Sequence, residues 1–227
     1  MFGKHKSNLK SIFMKTHLMI VLLVSTFTFA QNSEEKFQIS KSQWIVGGIM
    51  NFNSQDSENQ YVTSNSEFKR HSFFIKPDIG YAIDGNLIIG VMPGFNIVNS
   101  KFKESNDEFK GLGISVTPYI RKYFSINKKL AFNVQGELMY SYQKDKNLNG
   151  NSTINTSDQI DRNALFIGVR PGLTYNLTNK IYLNTNLGVL GFNSEKSERD
   201  HGIISKYKSF IFNLSTSDLY FGVLVLL

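Results

Sequence analysis

Leu130-Ala131-Phe132-Asn133-Val134-Gln135-Gly136-Glu137-Leu138-Met139-Tyr140 is the stretch whose reading decides the fold. Its even-numbered positions are Leu130, Phe132, Val134, Gly136, Leu138 and Tyr140; its odd-numbered ones are Ala131, Asn133, Gln135, Glu137 and Met139. A β-strand turns successive side chains to opposite faces, so this segment carries one apolar and one wet face. Related alternation over 42–53, 72–83, 87–99, 111–124, 163–177, 181–193 and about 209–227, together with 130–143, predicts eight strands.

The connections between these segments alternate in length. Asp84-Gly85-Asn86, Ser125 to Lys129 and Thr178-Asn179-Lys180 read as tight turns rich in Gly, Asn and Lys. Residues 54–71, 100–110, 144–162 and 194–208 read as long polar loops. Several long structureless loops are uncommon in a compact soluble domain and habitual in membrane barrels, where they lie outside. The hairpin beginning Pro77-Asp78-Ile79 is echoed at Pro171-Gly172-Leu173 and, more loosely, at Pro118-Tyr119-Ile120. In the last segment Phe210, Phe212 and Leu214 share one parity, whereas Leu219, Phe221, Val223, Val225 and Leu227 share the other. A single strand holding both sets on one face requires a bulge or kink near Ser215 to Asp218.

Alternation alone fits both a soluble barrel, apolar inside, and a membrane barrel, apolar outside. Three features favour the second. The wet face carries charges in mid-strand, Lys76, Asp78, Arg121, Glu137 and Arg170, with Asn184, Asn186 and several glycines. Such groups suit a narrow lumen, where opposite charges offset each other's desolvation. Tyr81, Tyr175 and Tyr123 precede tight turns, and Tyr140 and Tyr142 approach a long connection, as aromatic girdles at two headgroup boundaries would. The chain closes on Leu219-Tyr220-Phe221-Gly222-Val223-Leu224-Val225-Leu226-Leu227, an apolar edge that a barrel pairs with its first strand. Against this, Pro77, Pro93, Pro118 and Pro171 all fall inside predicted strands, where each removes a ladder donor.

Residues 1–30 read as an export signal: Lys4, Lys6, Lys10 and Lys15, an apolar run from Leu18 to Phe29, then Thr28-Phe29-Ala30 before Gln31. The run is shorter than the ~20 residues that a membrane-spanning helix needs. Four of the 25 basic residues and none of the 18 acidic ones lie there, so without it the charge falls from +7 to +3. The basic balance is therefore no argument for nucleic-acid binding. Residues 31–41 read as a short periplasmic leader, and 42–227 as the barrel. The chain has no cysteine, which excludes disulfides and thiolate metal sites.

The architecture resembles the small outer-membrane β-barrel family, the eight-stranded OmpA/OmpX-like and opacity-protein-like group. The carrying features are the alternating strands, the repeated Pro-x-[Ile/Leu] hairpins and the terminal strand Leu219 to Leu227; the family's usual terminal aromatic is replaced by Leu227. The resemblance implies an all-β, up-and-down antiparallel barrel in a bacterial outer membrane, with both chain ends periplasmic. It also implies outer-membrane lipid and the barrel-assembly machinery as partners. It implies no particular activity.

The polar set Lys76, Asp78, Arg121, Glu137, Arg170, Asn184 and Asn186 is the one constellation with chemistry in it. Glu137 and Arg170 fall on adjacent strands at similar depth, and Arg121 is expected beside Glu137 across the hairpin. The set reads as a structural network filling the lumen or, alternatively, as a polar path for small ions. Beyond the leader the histidines are His71 and His201; His71 lacks a serine or carboxylate at its neighbouring same-strand position, so no triad is visible and no enzyme is expected. No phosphate loop, metal cluster or cofactor motif appears. Tyr61, Phe68, Phe102, Phe109 and Tyr207 lie among polar loop residues that would suit a surface ligand or an envelope protein. Asn151-Ser152-Thr153 and Asn155-Thr156-Ser157 match glycosylation acceptors, a pattern common by chance in such loops. The expectation is a non-enzymatic outer-membrane protein with an envelope-structural or surface-binding role. The alternatives are a narrow porin-like channel and a secreted lipocalin-like carrier.

Overall fold

A computed structural model describes residues 36–60, 65–102, 107–148, 159–199, 202–214 and 221–227. The export signal, the two glycosylation matches, Tyr61 and His201 lie outside the described residues. Ten strands run in chain order: β1 (Trp44–Gln60), β2 (Asn65–Asp84), β3 (Leu87–Phe102), β4 (Asp107–Ser125), β5 (Leu130–Asn147), β6 (Gln159–Asn176), β7 (Ile181–Asn186), β8 (Gly188–Arg199), β9 (Ile204–Leu214) and β10 (Phe221–Leu226).

These make eight staves, because β7 with β8, and β9 with β10, are the lower and upper parts of single staves. Every pairing is antiparallel between sequence neighbours, and the ring closes where β10 pairs with β1, Ile45 opposite Leu226 and Gly48 opposite Val223. Leu187 interrupts the seventh stave. Across from β6, Asn186 faces Gly172 and Leu190 faces Val169, so one residue is extra and the inward parity switches from even to odd. The eighth stave switches too: Phe210, Phe212 and Leu214 face outward in β9, and Val223 in β10 with Leu227 just beyond it. The expected kink falls in 215–220, outside the described residues.

The apolar parity faces outward all round. Ile120, Ile167, Phe192 and Val223 are exposed, whereas Thr117, Asn133, Gln135 and Thr174 are buried at the centre. Ile167 is 59% accessible and Asn133 0%, the reverse of a soluble barrel. The secreted-carrier alternative is excluded by this inversion.

Strands reach much farther than their apolar pattern. Residues 54–60, 65–71, 100–102, 107–110, 144–147, 159–162, 194–199 and 204–208, expected as loop, are paired strand. Beyond the lipid band both faces meet water, so apolar alternation is no longer required there, and backbone ladders and cross-strand polar pairs suffice. Among the described residues, β1 above Gly48 pairs only with β2, and β9 pairs only with β8.

The prolines occupy the outward face, and two of them share one gap in a ladder. Register continues from Ile75 opposite Phe95 to Ile79 opposite Val91, which sets Pro77 against Pro93; neither is paired in that ladder. The missing donors thus coincide at one gap instead of scattering over two.

Candidate functional site

Lys76 and Asp78 on β2, Arg121 on β4, Glu137 on β5, Arg170 on β6 and Asn184 and Asn186 on β7 all point inward and line one cavity of about 380 Å³. Arg121 Nη2 meets Asp78 Oδ2 at 2.9 Å, and its Nε donates to Gln135 Oε1 at 2.8 Å. Gln135 Nε2 donates to Glu137 Oε2 (2.7 Å), and Arg170 Nε donates to Glu137 Oε1 (2.7 Å). The chain therefore runs Asp78–Arg121–Gln135–Glu137–Arg170. Arg121 was expected beside Glu137; instead Gln135, opposite it on β5, takes its Nε, and Asp78 takes its charge.

Below this network lies an aromatic layer that the sequence reading missed. Tyr119 donates to Asp78 Oδ1 (2.5 Å), and the Arg121 guanidinium lies 4.6 Å from the Tyr119 ring centre. Arg121 Nη1 donates to the Tyr123 hydroxyl at 3.3 Å. Tyr123 was expected in the outward girdle; it is buried in the lumen, because inward positions on β4 are odd-numbered from Gly111 to Tyr123. Gly80 and Gly90 face each other on β2 and β3, and a Cβ on either would come within 2.6 Å of the Tyr119 hydroxyl. The wet-face glycines thus make room for a ring from the next stave. Gly168 and Gly191 do the same for Phe166, over which Arg170 lies at 5.4 Å.

The floor of the lumen is the leader. Phe37 and Ile39, read as part of a short polar leader, are buried at the mouth of the barrel on the tight-turn side. The Phe37 ring stacks on Tyr123 (5.6 Å between centroids) and meets Tyr182 edge-on (5.5 Å). Phe37 N donates to Asn127 O (3.0 Å), Ile39 N to Asn86 Oδ1 (2.7 Å), and Asn86 N to Ile39 O (3.1 Å). The turns Asp84–Asn86 and Ser125–Lys129 therefore hold the segment across the opening. Alternate apolar residues in Phe37-Gln38-Ile39 were the signal available for this.

Above the network, Phe74 and Met139 line both the charged cavity and a second space of about 330 Å³ bordered by Arg70, Asn96 and Gln143. Their side chains form an apolar collar between two wet compartments.

On the exterior, His71 Nδ1 lies 3.0 Å from Ser54 Oγ, a partner supplied by β1 directly opposite and invisible from same-strand neighbours. Among the described residues no carboxylate pairs with this imidazole in the way that orients the histidine of a catalytic triad. No cluster of metal-ligating side chains occurs among the described residues.

No family model and no curated protein matches the chain. Among solved structures it is similar to a major outer membrane protein from Thermus thermophilus, with 10% identity over 82% of this chain and 99% of that one (TM-score 0.46). It is also similar to Neisserial surface protein A (NspA), with 13% identity over 81% of this chain and 96% of that one (TM-score 0.35). The chain's own geometry carries the assignment: an apolar exterior band, a charged and hydrogen-bonded lumen, and a closed ring of eight staves make it a membrane-spanning β-barrel.

Proposed function

We infer that the chain is a non-enzymatic, non-conducting integral protein of the outer membrane, serving envelope structure or surface binding through its outer hairpins. The observation that carries this reading is the double closure of the lumen, by the Asp78–Arg121–Gln135–Glu137–Arg170 network and beneath it by Phe37 against Tyr123 and Tyr182. Eight staves leave an interior just wide enough for side chains. With passage blocked, the parts left to meet other molecules are the hairpins beyond the lipid band. These carry Phe68, Phe102 and Phe109 in mutual ring contact, at 4.8 Å and 5.8 Å, a surface for a ligand or an envelope protein. Delivery to the membrane would use the barrel-assembly machinery, and outer-membrane lipid would surround the band.

The second reading, a narrow channel, draws on the 380 Å³ polar cavity. Planar-bilayer recording separates the two. The purified chain is expected to give no current steps, and Glu137→Gln and Arg170→Met to leave that unchanged. Steps in the wild type whose ion selectivity shifts in either variant would establish the channel instead.

A further inference from the structure

Lipid must cover the apolar band, so the question left open is which headgroup the rim selects. On β3, β4 and β5 the outward apolar series ends at Ile97, Leu112 and Tyr142, and the next outward positions are Asn99, Lys110 and Lys144. Lys146 follows on β5, directly opposite Lys110. Together with Ile97, Leu112, Ile114 and Leu148, all exposed, these residues border an outward groove of about 520 Å³.

Two features of this corner call for an anion. Like charges set directly opposite across a ladder destabilise it, yet Lys110 and Lys146 hold such a pair. Among the described residues the ammonium groups of Lys144 and Lys146 make no hydrogen bond or ion pair. The carboxylates nearby are shared with other partners. Glu108 bridges Lys101 (3.1 Å) and Lys110 (3.7 Å), and Asp161, although opposite Lys144, accepts from Tyr142 and Gln159 (both 3.1 Å). Followed across the ladders from Lys110, the facing positions are Asn99 on β3 and His71 on β2, whose Nδ1 meets Ser54 on β1, and beyond Lys146 the position on β6 is Gln159. Lys206 and Lys208 on β9, with Lys196 opposite Lys206 on β8 and paired to Glu198 (3.1 Å), make a second basic strip.

We propose that the groove between β3, β4 and β5 is a binding site for a phosphorylated lipid of the outer leaflet. Its acyl chains lie on Ile97, Leu112 and Ile114, and its phosphate is held by Lys110, Lys144 and Lys146. A phosphate carries one to two negative charges and several acceptor oxygens, enough to bridge the facing lysines. The site rests on the membrane-spanning reading. If that reading failed, no lipid of any headgroup would be retained, whereas failure of the site alone would leave lipid bound without headgroup preference.

Native mass spectrometry of the full chain in maltoside micelles, titrated with dilauroyl phosphatidic acid or dilauroyl phosphatidylcholine, reads both. The wild type is expected to retain phosphatidic acid preferentially, and each of Lys110→Gln, Lys144→Gln and Lys146→Gln to cut that preference by about fivefold. Heat-modifiable gel mobility confirms that each variant is folded. An unchanged preference in the triple variant would overturn the site. So would an equal loss in Lys206→Gln/Lys208→Gln, which would mean diffuse surface charge. Displacement of the lipid by millimolar inorganic phosphate alone would overturn it as well, by marking a free-anion site.

Discussion

Asp78 and Arg121 illustrate what a charge inside this barrel demands. Both are buried, and each is hydrogen-bonded beyond the mutual contact. Removing one partner of such a pair leaves the other desolvated and uncompensated, which costs about 3–5 kcal/mol. Asp78→Asn is therefore expected to lower the urea midpoint of unfolding in micelles by that equivalent, and the double change Asp78→Asn/Arg121→Met to recover most of it. Gly90 makes a steric counterpart. A Cβ there would lie 2.5 Å from the Tyr119 hydroxyl, so Gly90→Val should displace the ring, break the Asp78 contact and destabilise the barrel. Gly90→Val unfolding at the wild-type urea concentration would show that the Tyr119 ring does not need the space the glycine leaves. These residues were legible as a wet face from alternation alone. Their partners were not: register decides whether Arg121 meets Asp78 or Glu137, and a pattern read along one strand carries no cross-strand register.

At the level of elements, the lengths of the strands and the fate of the leader were the parts least visible in the sequence. Apolar alternation marks where a strand meets lipid and stops at the headgroups, so the polar outer reaches of β1, β2, β8 and β9 looked like loops. The parity change before β10 was legible, because Phe212 and Val223 face outward only if a bulge separates them; the interruption at Leu187, inside a segment read as one strand, was not. The leader carries two apolar residues in a polar segment, too weak a pattern to reveal insertion into the mouth. If Phe37 seals that mouth, Phe37→Ala should admit a lumen-directed thiol reagent from the periplasmic side to a cysteine placed at Ala131. Equal labelling with and without Phe37→Ala would show that the segment is no seal. The one-sided pairing of β9 has a dynamic consequence. Amides that lack a second ladder open more readily, so hydrogen exchange over 204–214 should outpace that of β4 over 111–124. Comparable protection would mean that β9 has a second partner in solution.

For the whole molecule, orientation is the claim that supports the rest. An Arg or Lys at the bilayer midplane costs roughly 2–4 kcal/mol on a lipid-facing position. Turning the barrel inside out would expose Lys76, Arg121 and Arg170 to hydrocarbon, together with two carboxylates, a sum comparable with the roughly 5–15 kcal/mol that holds a domain folded. The chain lacks cysteine, so single thiols can be introduced for spin labels without background. The most direct measurement compares labels at Ile120→Cys and Ile167→Cys with one at Asn133→Cys, each in the full chain in liposomes, for collision with dissolved oxygen and with a water-soluble nickel chelate. High oxygen and negligible nickel accessibility at Ile120 and Ile167, with neither pattern at the buried Asn133, is the predicted result. Ready collision with the nickel chelate at Ile120 and Ile167 would contradict the account.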